Sequence, residues 1–216
     1  MSVQSGPNGI ESGLVLYLDA GNRKSYPGTG ATFYDIGSNN HTTLVGSPAF
    51  SNSNNGYLTF DGSTNYGTVA NNPVGAAYSK MVWFYCTNFS PSNNLLSSDT
   101  GGHIFWLAGS NKLTGAHTNT SFTLIQSVTN LSLNTWYCGA VTFNTTTGWA
   151  LYLNGELEST NATVSPRPGN GAVSLSAYAG GNFFAGRIAL AQIYNRAISA
   201  AEIRQLFNAT RGRFGI

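Results

Sequence analysis

Charge is what this chain has least of. Asp, Glu, Lys and Arg make up only 8 % of its 216 residues, against roughly 25 % in ordinary soluble proteins. The net charge of +2 is too small to imply nucleic-acid binding. Acidic residues number 8, a thin supply for a glycosidase, which needs two carboxyl groups placed across the scissile bond. Cysteine is nearly absent too. Cys86 and Cys138 both sit in strand patterns among bulky apolar neighbours, so they read as two inert buried thiols and not as a disulfide. No run approaches the ~18 apolar residues of a membrane span. Met1-Ser-Val-Gln-Ser-Gly6 lacks the basic start and apolar core of a signal peptide, so the expectation is a protein made in the cytoplasm. No glycine-rich loop follows a strand to hold phosphates, which argues against nucleotide use.

What replaces the charge is Asn, Ser, Thr and Gly, a surface solvated by neutral hydrogen-bonding groups. The hydrophobic fraction of 41 % and aromatic fraction of 12 % still suffice for a sizeable core. All-β sandwiches commonly reach this length as one unit, and no linker asks for a second domain. The organising stretch is Trp136 to Glu158. Trp136–Asn144 and Trp149–Asn154 are runs of aromatic and β-branched residues that suit a pleated, half-buried surface. Asn144 to Gly148 reads as a polar hairpin loop. Asn154-Gly155 predicts a type I′ turn into Glu156–Ser159. Alternation puts Trp149, Leu151 and Leu153 on one face and Ala150 and Tyr152 on the other.

Along the chain, residues 1–13 form a polar, Gly- and Pro-bearing arm. Leu14–Asp19 is a strand with Leu14, Leu16 and Leu18 on one face. Phe33–Ile36, Thr42–Val45, Tyr57–Gly62 and Tyr66–Ala70 follow as short strands or extended pieces. Lys80–Cys86 is nearly all apolar, which predicts a central strand covered on both sides. Leu95–Ser98, His103–Ala108, Lys112–His117 and Phe122–Val128 repeat about every ten residues, with Gly101 and Asn119 among the turn residues between them. That spacing is typical of an antiparallel sandwich or barrel. Ala172–Tyr178 and Phe183–Arg196 close the set, the latter with Ile188, Leu190, Gln192 and Tyr194 on one face. Ser199-Ala-Ala-Glu202 is a capping box, starting a helix whose buried stripe is Ile203, Leu206 and Phe207. Arg204, Arg211 and Arg213 read as a solvated helix face and tail, or as a contact with a partner protein.

Leu16-Tyr-Leu-Asp19, Phe60-Asp-Gly62, Ala140-Val-Thr-Phe143, Leu151-Tyr-Leu-Asn-Gly155 and Gly186-Arg-Ile-Ala189 through Ile193-Tyr-Asn-Arg-Ala-Ile-Ser-Ala-Ala-Glu-Ile203 occur in an order that resembles the concanavalin A-like, LamG-type jelly roll. The resemblance runs from Leu14 to Phe207. It implies an all-β antiparallel sandwich over residues 14–210 with one short C-terminal helix, an arm over 1–13 and a tail over 211–216. More narrowly, Gly13–Asn22 and Phe207–Ile216 look like LamG-like domains of tailed-bacteriophage structural proteins. The expectation carried by that resemblance is a non-enzymatic virion protein, decorating the capsid surface or forming part of an appendage or tail fibre. Its partners would be other virion proteins, reached through the arm and through Arg211–Ile216, with the tail dispensable for folding. The alternative is a carbohydrate-binding, lectin-like module; a homo-oligomer is open under either.

The fold alone supplies no function. Glucanases of this fold carry acidic residues at i, i+2 and i+5 of a strand; Glu156-Leu-Glu158 has the first spacing, lacks the third acid and reads as a hairpin end. His41, His103 and His117 stand in a loop or beside turns, with no framed nucleophile. No catalytic or cofactor-binding residue is assigned. Members of this fold often bind calcium, and the resemblance offers Asp61 with Asn65, or Asp19 with Asn22 and Asp35; turn-forming roles serve these residues equally well. A sugar site would use an exposed aromatic platform, for which Tyr26, Tyr66, Trp106 and Phe183–Phe184 are the candidates.

Overall fold

The computed structural model describes residues 9–69, 71–89, 93–98, 102–118, 122–164 and 171–216. Residues 1–8 of the predicted arm and the predicted turn residues Gly101 and Asn119 lie outside that description. The first strands are β1 (Leu14–Asp19), β2 (Thr32–Phe33), β3 (Thr42–Val45), β4 (Ala49–Ser51), β5 (Tyr57–Asp61) and β6 (Tyr66–Val69). The middle of the chain gives β7 (Tyr78–Cys86), β8 (Asn93–Asn94), β9 (Leu96–Ser98), β10 (His103–Ala108), β11 (Lys112–Thr118) and β12 (Phe122–Gln126). Then come β13 (Trp136–Asn144), β14 (Gly148–Leu153), β15 (Glu156–Asn161), β16 (Val173–Leu175), β17 (Ala185–Tyr194) and the helix α1 (Ala200–Thr210).

Two layers result. One is a sheet ordered β15-β14-β13-β7-β17-β5-β4, with β1 also on β17. The other is made of two sheets, β2-β3-β6-β16-β9 and β12-β11-β10-β8, which neighbour each other at β9 and β10. All pairings are antiparallel. The fold is therefore the antiparallel β-sandwich with a C-terminal helix that the residue pattern predicts.

The central meander is where sequence and structure agree most closely. Trp149, Leu151 and Leu153 enter the core between the layers, while Ala150 and Tyr152 face the opposite side. Asn154 (φ 50°) and Gly155 (φ 80°) both hold the left-handed conformation a type I′ turn requires. Strand β7 is covered on both sides, as predicted: Val82 and Phe84 face the sandwich interior, Met81 and Trp83 an outer apolar layer. That outer layer is built by α1 and the tail. Ser199 and Glu202 form the capping box, and Ile203 and Leu206 are buried beneath the helix. Phe207 is only partly buried, yet it stacks on Trp83 at 5.7 Å.

Two predicted faces are each wrong at one end. A register shift between Leu14 and Leu16 sends Leu14 to the outer layer while Leu16 and Leu18 stay in the core. A second, between Ile188 and Leu190, places Ile188 in the core and Leu190 and Tyr194 outside it. Each bulge inserts one residue, and with a side-chain period of two that exchanges the faces.

The tail is part of this architecture. Phe214 is buried, lying 4.0 Å from the Trp83 ring and 4.7 Å from the Trp136 ring. Arg213 reaches back to Asp19 at 2.9 Å. A tail packed in this way is expected to add to stability, whereas the virion reading treats it as dispensable for folding; Ile216 stays exposed.

The two long edges of the sandwich differ. Where β15 meets β12, Ser159 Oγ donates to the Gln126 carbonyl at 2.6 Å and Asn161 Nδ2 to that of Leu124 at 3.0 Å. Glu158 accepts from the Thr129 amide and hydroxyl just beyond. These bonds close that edge. At the opposite edge, the loop after β1 and the 46–48 connection from β3 to β4 run between the layers, and the Tyr26 ring packs against Phe33 and Phe50 at 5.7 and 5.4 Å.

Candidate functional site

The carboxylates are already engaged within the chain. Asp35 accepts from the amides of Tyr17, Gly37, Ser38 and Asn40 and from the Ser38 hydroxyl. Asp61 accepts from the amides of Ser63, Thr64 and Asn65 and the Thr64 hydroxyl, and those donors hold its carboxyl well below the usual range against the opposing effect of burial. Asp19 takes the Gly21 amide and the Arg213 guanidinium. These N–H donors take up part of each carboxylate's acceptor capacity. In both candidate sets, Asp61 with Asn65 and Asp19 with Asn22 and Asp35, the Asp carboxylates serve the turn-forming role. Among the described residues, no group of three or more His, Cys, Asp or Glu side chains is placed to hold a metal ion.

Glu156 and Glu158 do not act together. Glu156 pairs with Arg204 at 2.5 Å in an exposed bridge, and Glu158 faces Thr129. Glu202, drawn down to about 2 mainly by Arg196, serves the helix cap. Both thiols are buried on opposite faces of the first sheet, which separates them. Burial raises both, Cys86 to about 11. Neither is suited to nucleophilic work at neutral pH.

The histidines lie where the residue pattern puts them, His41 in a loop and the other two at strand ends, but their burial is set by the fold. His103 and His117, placed beside turns by the residue pattern, are opposite partners on β10 and β11, fully buried between the layers. The Tyr78 hydroxyl lies 3.0 Å from His117 Nε2, and Lys80 Nζ lies 2.5 Å from His103 Nδ1 and donates to the Leu96 carbonyl at 2.7 Å. This polar cluster holds the two layers together and has no access to solvent. His41 accepts from the Asp35 amide.

The aromatic candidates separate cleanly. Tyr26 and Phe184 belong to the core, whereas Tyr66, Trp106 and Phe183 are only partly buried. On β10, Phe105 and Leu107 point inward, so Ile104 and Trp106 face outward. Pairing carries that face across Asn94 on β8, Thr114 and Ala116 on β11, and Leu124 and Gln126 on β12. Phe122, more than half exposed, sits edge-on to Trp106 at 6.3 Å. Tyr66 and Phe183 form a second ring pair at 5.8 Å.

A hollow of about 200 Å³ opens on this face between Trp106 and Tyr178, with Asn94, Ile104 and Asn182 completing it. Tyr178, which the residue pattern ran into a strand, is presented by a tight turn instead. Its amide and carbonyl exchange hydrogen bonds with Gly181 at 2.9 and 3.0 Å, and Ala179 (φ 51°) and Gly180 (φ 69°) are both left-handed. An alanine held so costs roughly 1–2 kcal/mol, a strain typical of sites that present a side chain. Asn94 donates through both its amide and its side chain to the Asn182 carbonyl, clamping the turn to β8.

The hollow is thus walled by two aromatic rings with amide side chains between them, and no carboxylate lines it. The comparisons agree with the fold. Residues 61–204 match the model of the concanavalin A-like lectin/glucanases superfamily. The chain belongs to that family. No curated protein sequence matches it significantly.

Among solved structures, domain 4 of AbnA, an extracellular arabinanase from Geobacillus stearothermophilus solved with arabinotriose, superposes with a TM-score of 0.75 at 14% identity. The match covers 91% of this chain and 99% of that domain. The binding domain of Paraclostridial mosquitocidal protein 1 gives 0.73 at 16% identity, covering 92% of this chain and 52% of that one. The receptor-binding domain of a botulinum neurotoxin C/D mosaic serotype gives 0.72 at 15% identity, covering 92% and 52%. The chain thus spans about half the length of these toxin domains. At such identities the likeness is one of fold.

Proposed function

We propose that this protein is a non-catalytic carbohydrate-binding module whose ligand lies on the Trp106–Tyr178 face. The observation that carries the reading is the hollow itself. Two rings flank it, and the Trp106 indole N–H, the Tyr178 hydroxyl and the Asn182 amide make no hydrogen bond within the described residues. Sugar rings present C–H faces that pack on aromatic rings and hydroxyls that pair with such donors. The arabinanase domain supports the reading most directly, because nearly its whole length is matched and it was solved with arabinotriose. The toxin domains support it less, since only half of each is matched.

The test is calorimetric titration with a panel of neutral oligosaccharides, arabinotriose included, on the parent and on Trp106→Ala and Tyr178→Ala. Loss of one stacking ring is expected to weaken binding about tenfold or more. Undiminished binding in both variants, or no binding by the parent across the panel, would remove this face as the site.

The virion reading remains a separate proposal, and it now stands second. It is supported by the likeness of residues 13–22 and 207–216 to phage structural proteins and by the charge-poor surface; none of the relatives named above is a phage protein. It makes capsid or tail proteins the partners and the virion the location. Quantitative mass spectrometry of purified particles tests it: a copy number near that of the capsid protein means decoration, a few copies mean an appendage, and absence ends the reading.

A further inference from the structure

A different part of the molecule points to a second ligand. At the open edge, two hollows of about 450 and 370 Å³ lie side by side and share Tyr26, Gly28, Thr29 and Phe50. Each falls within the ~300–1,000 Å³ typical of small-ligand sites. The half-buried Phe50 ring forms the ridge between them. Arg23, Asn52 and Asn55 line the larger hollow.

The charge at this place is unbalanced. Arg23 is exposed, no carboxylate pairs with it among the described residues, and no acidic side chain lines either hollow. Asp19, the acidic residue nearest in sequence, is held by Arg213. The Asn52 and Asn55 side-chain amides likewise have no partner within the described residues. A guanidinium with free donors in a fixed fork matches a carboxylate bidentately.

Both walls are rigid. Arg23 sits in a turn closed by Ser25 N to the Asn22 carbonyl and Lys24 N to Asn22 Oδ1, both at 3.0 Å or less. Facing it, Arg213 donates to the carbonyls of Asn55 and Gly56, and Asn54 Nδ2 donates to the Arg213 carbonyl. The two loops touch backbone to backbone at Gly21, where a Cβ would lie 1.9 Å from the Asn55 carbonyl oxygen. Preorganisation of this kind lowers the entropic cost of binding.

We propose that this edge cleft binds a carboxylate-bearing saccharide of the uronic or sialic acid class. Arg23 takes the carboxylate, Phe50 stacks on a sugar ring, and Asn52 and Asn55 take ring hydroxyls. The cleft is remote from the Trp106 face in the fold, on the edge where β4 and β2 meet, so the proposal does not rest on that site.

The test compares trigalacturonate with its methyl ester, and sialyllactose with lactose, by calorimetry, with inorganic sulfate as a separate titrant. The proteins are the parent, Arg23→Gln, Arg23→Lys, Asn55→Ala and Trp106→Ala. An acidic sugar is expected to bind about tenfold or more tighter than its neutral counterpart. That preference should vanish in Arg23→Gln, fall in Arg23→Lys and persist in Trp106→Ala. Equal binding of acid and neutral sugars, acid binding indifferent to Arg23→Gln, or sulfate binding as tightly as the sugars would each overturn it.

Discussion

Lys80 lies between the layers with no exposed surface, on the core face of β7 beside Tyr78 and Val82. A buried amino group is tolerated only when its hydrogen bonds are made, and here Lys80 Nζ meets the Leu96 carbonyl and His103. Lys80→Met keeps the length and removes the donors, leaving buried acceptors unmatched. It is expected to cost about 1–3 kcal/mol in urea or thermal unfolding; a variant as stable as the parent would show that the cluster contributes nothing. The residue pattern gave no hint of this. Lys80 sits in an apolar run, and neither histidine lies near it in sequence. Lys80 and His103 meet only because β7 faces β10 across the core.

At the scale of elements, the helix and tail form one cover over the outer face of the first sheet. The capping box and the buried stripe of Ile203 and Leu206 are local and were legible in the sequence. The Phe214 stack on Trp83 and Trp136 was not, since it joins residues more than seventy apart in the chain. Phe214→Ala is expected to lose about 2–4 kcal/mol, measured by denaturant unfolding, and truncation after Thr210 more, because Arg213 is lost as well. An unchanged midpoint in both would mean the tail only rests on the surface. The bulges in β1 and β17 were hidden for a related reason. An inserted residue leaves composition intact and shows only in the partner strand's register.

For the whole molecule, Asp19, Asp35 and Asp61 are each engaged within the chain, which predicts a fold that does not depend on calcium. Excess EDTA is expected to leave both the melting temperature and saccharide binding unchanged; a fall in either would mean a cation site that these carboxylates do not form. The two ligand sites proposed occupy places that differ physically. One is the outer face of the second layer; the other is the sandwich edge formed by β4 and β2.

By itself the sequence determined what local chemistry determines. Strand runs of period two, the Asn154-Gly155 turn, the Ser199–Glu202 cap and the ordered motifs from Leu14 to Phe207 specified a jelly-roll sandwich with one helix. Each of these depends on residues close in the chain. Tertiary structure alone decided which aromatics are core and which are platform. Tyr26 and Trp106 read alike in sequence, yet Tyr26 wedges between Phe33 and Phe50 while Trp106 faces outward beside Tyr178. Exposure depends on what packs against a ring from distant strands, and so does an arginine's lack of a counter-charge. Both proposed sites were therefore legible only in the fold.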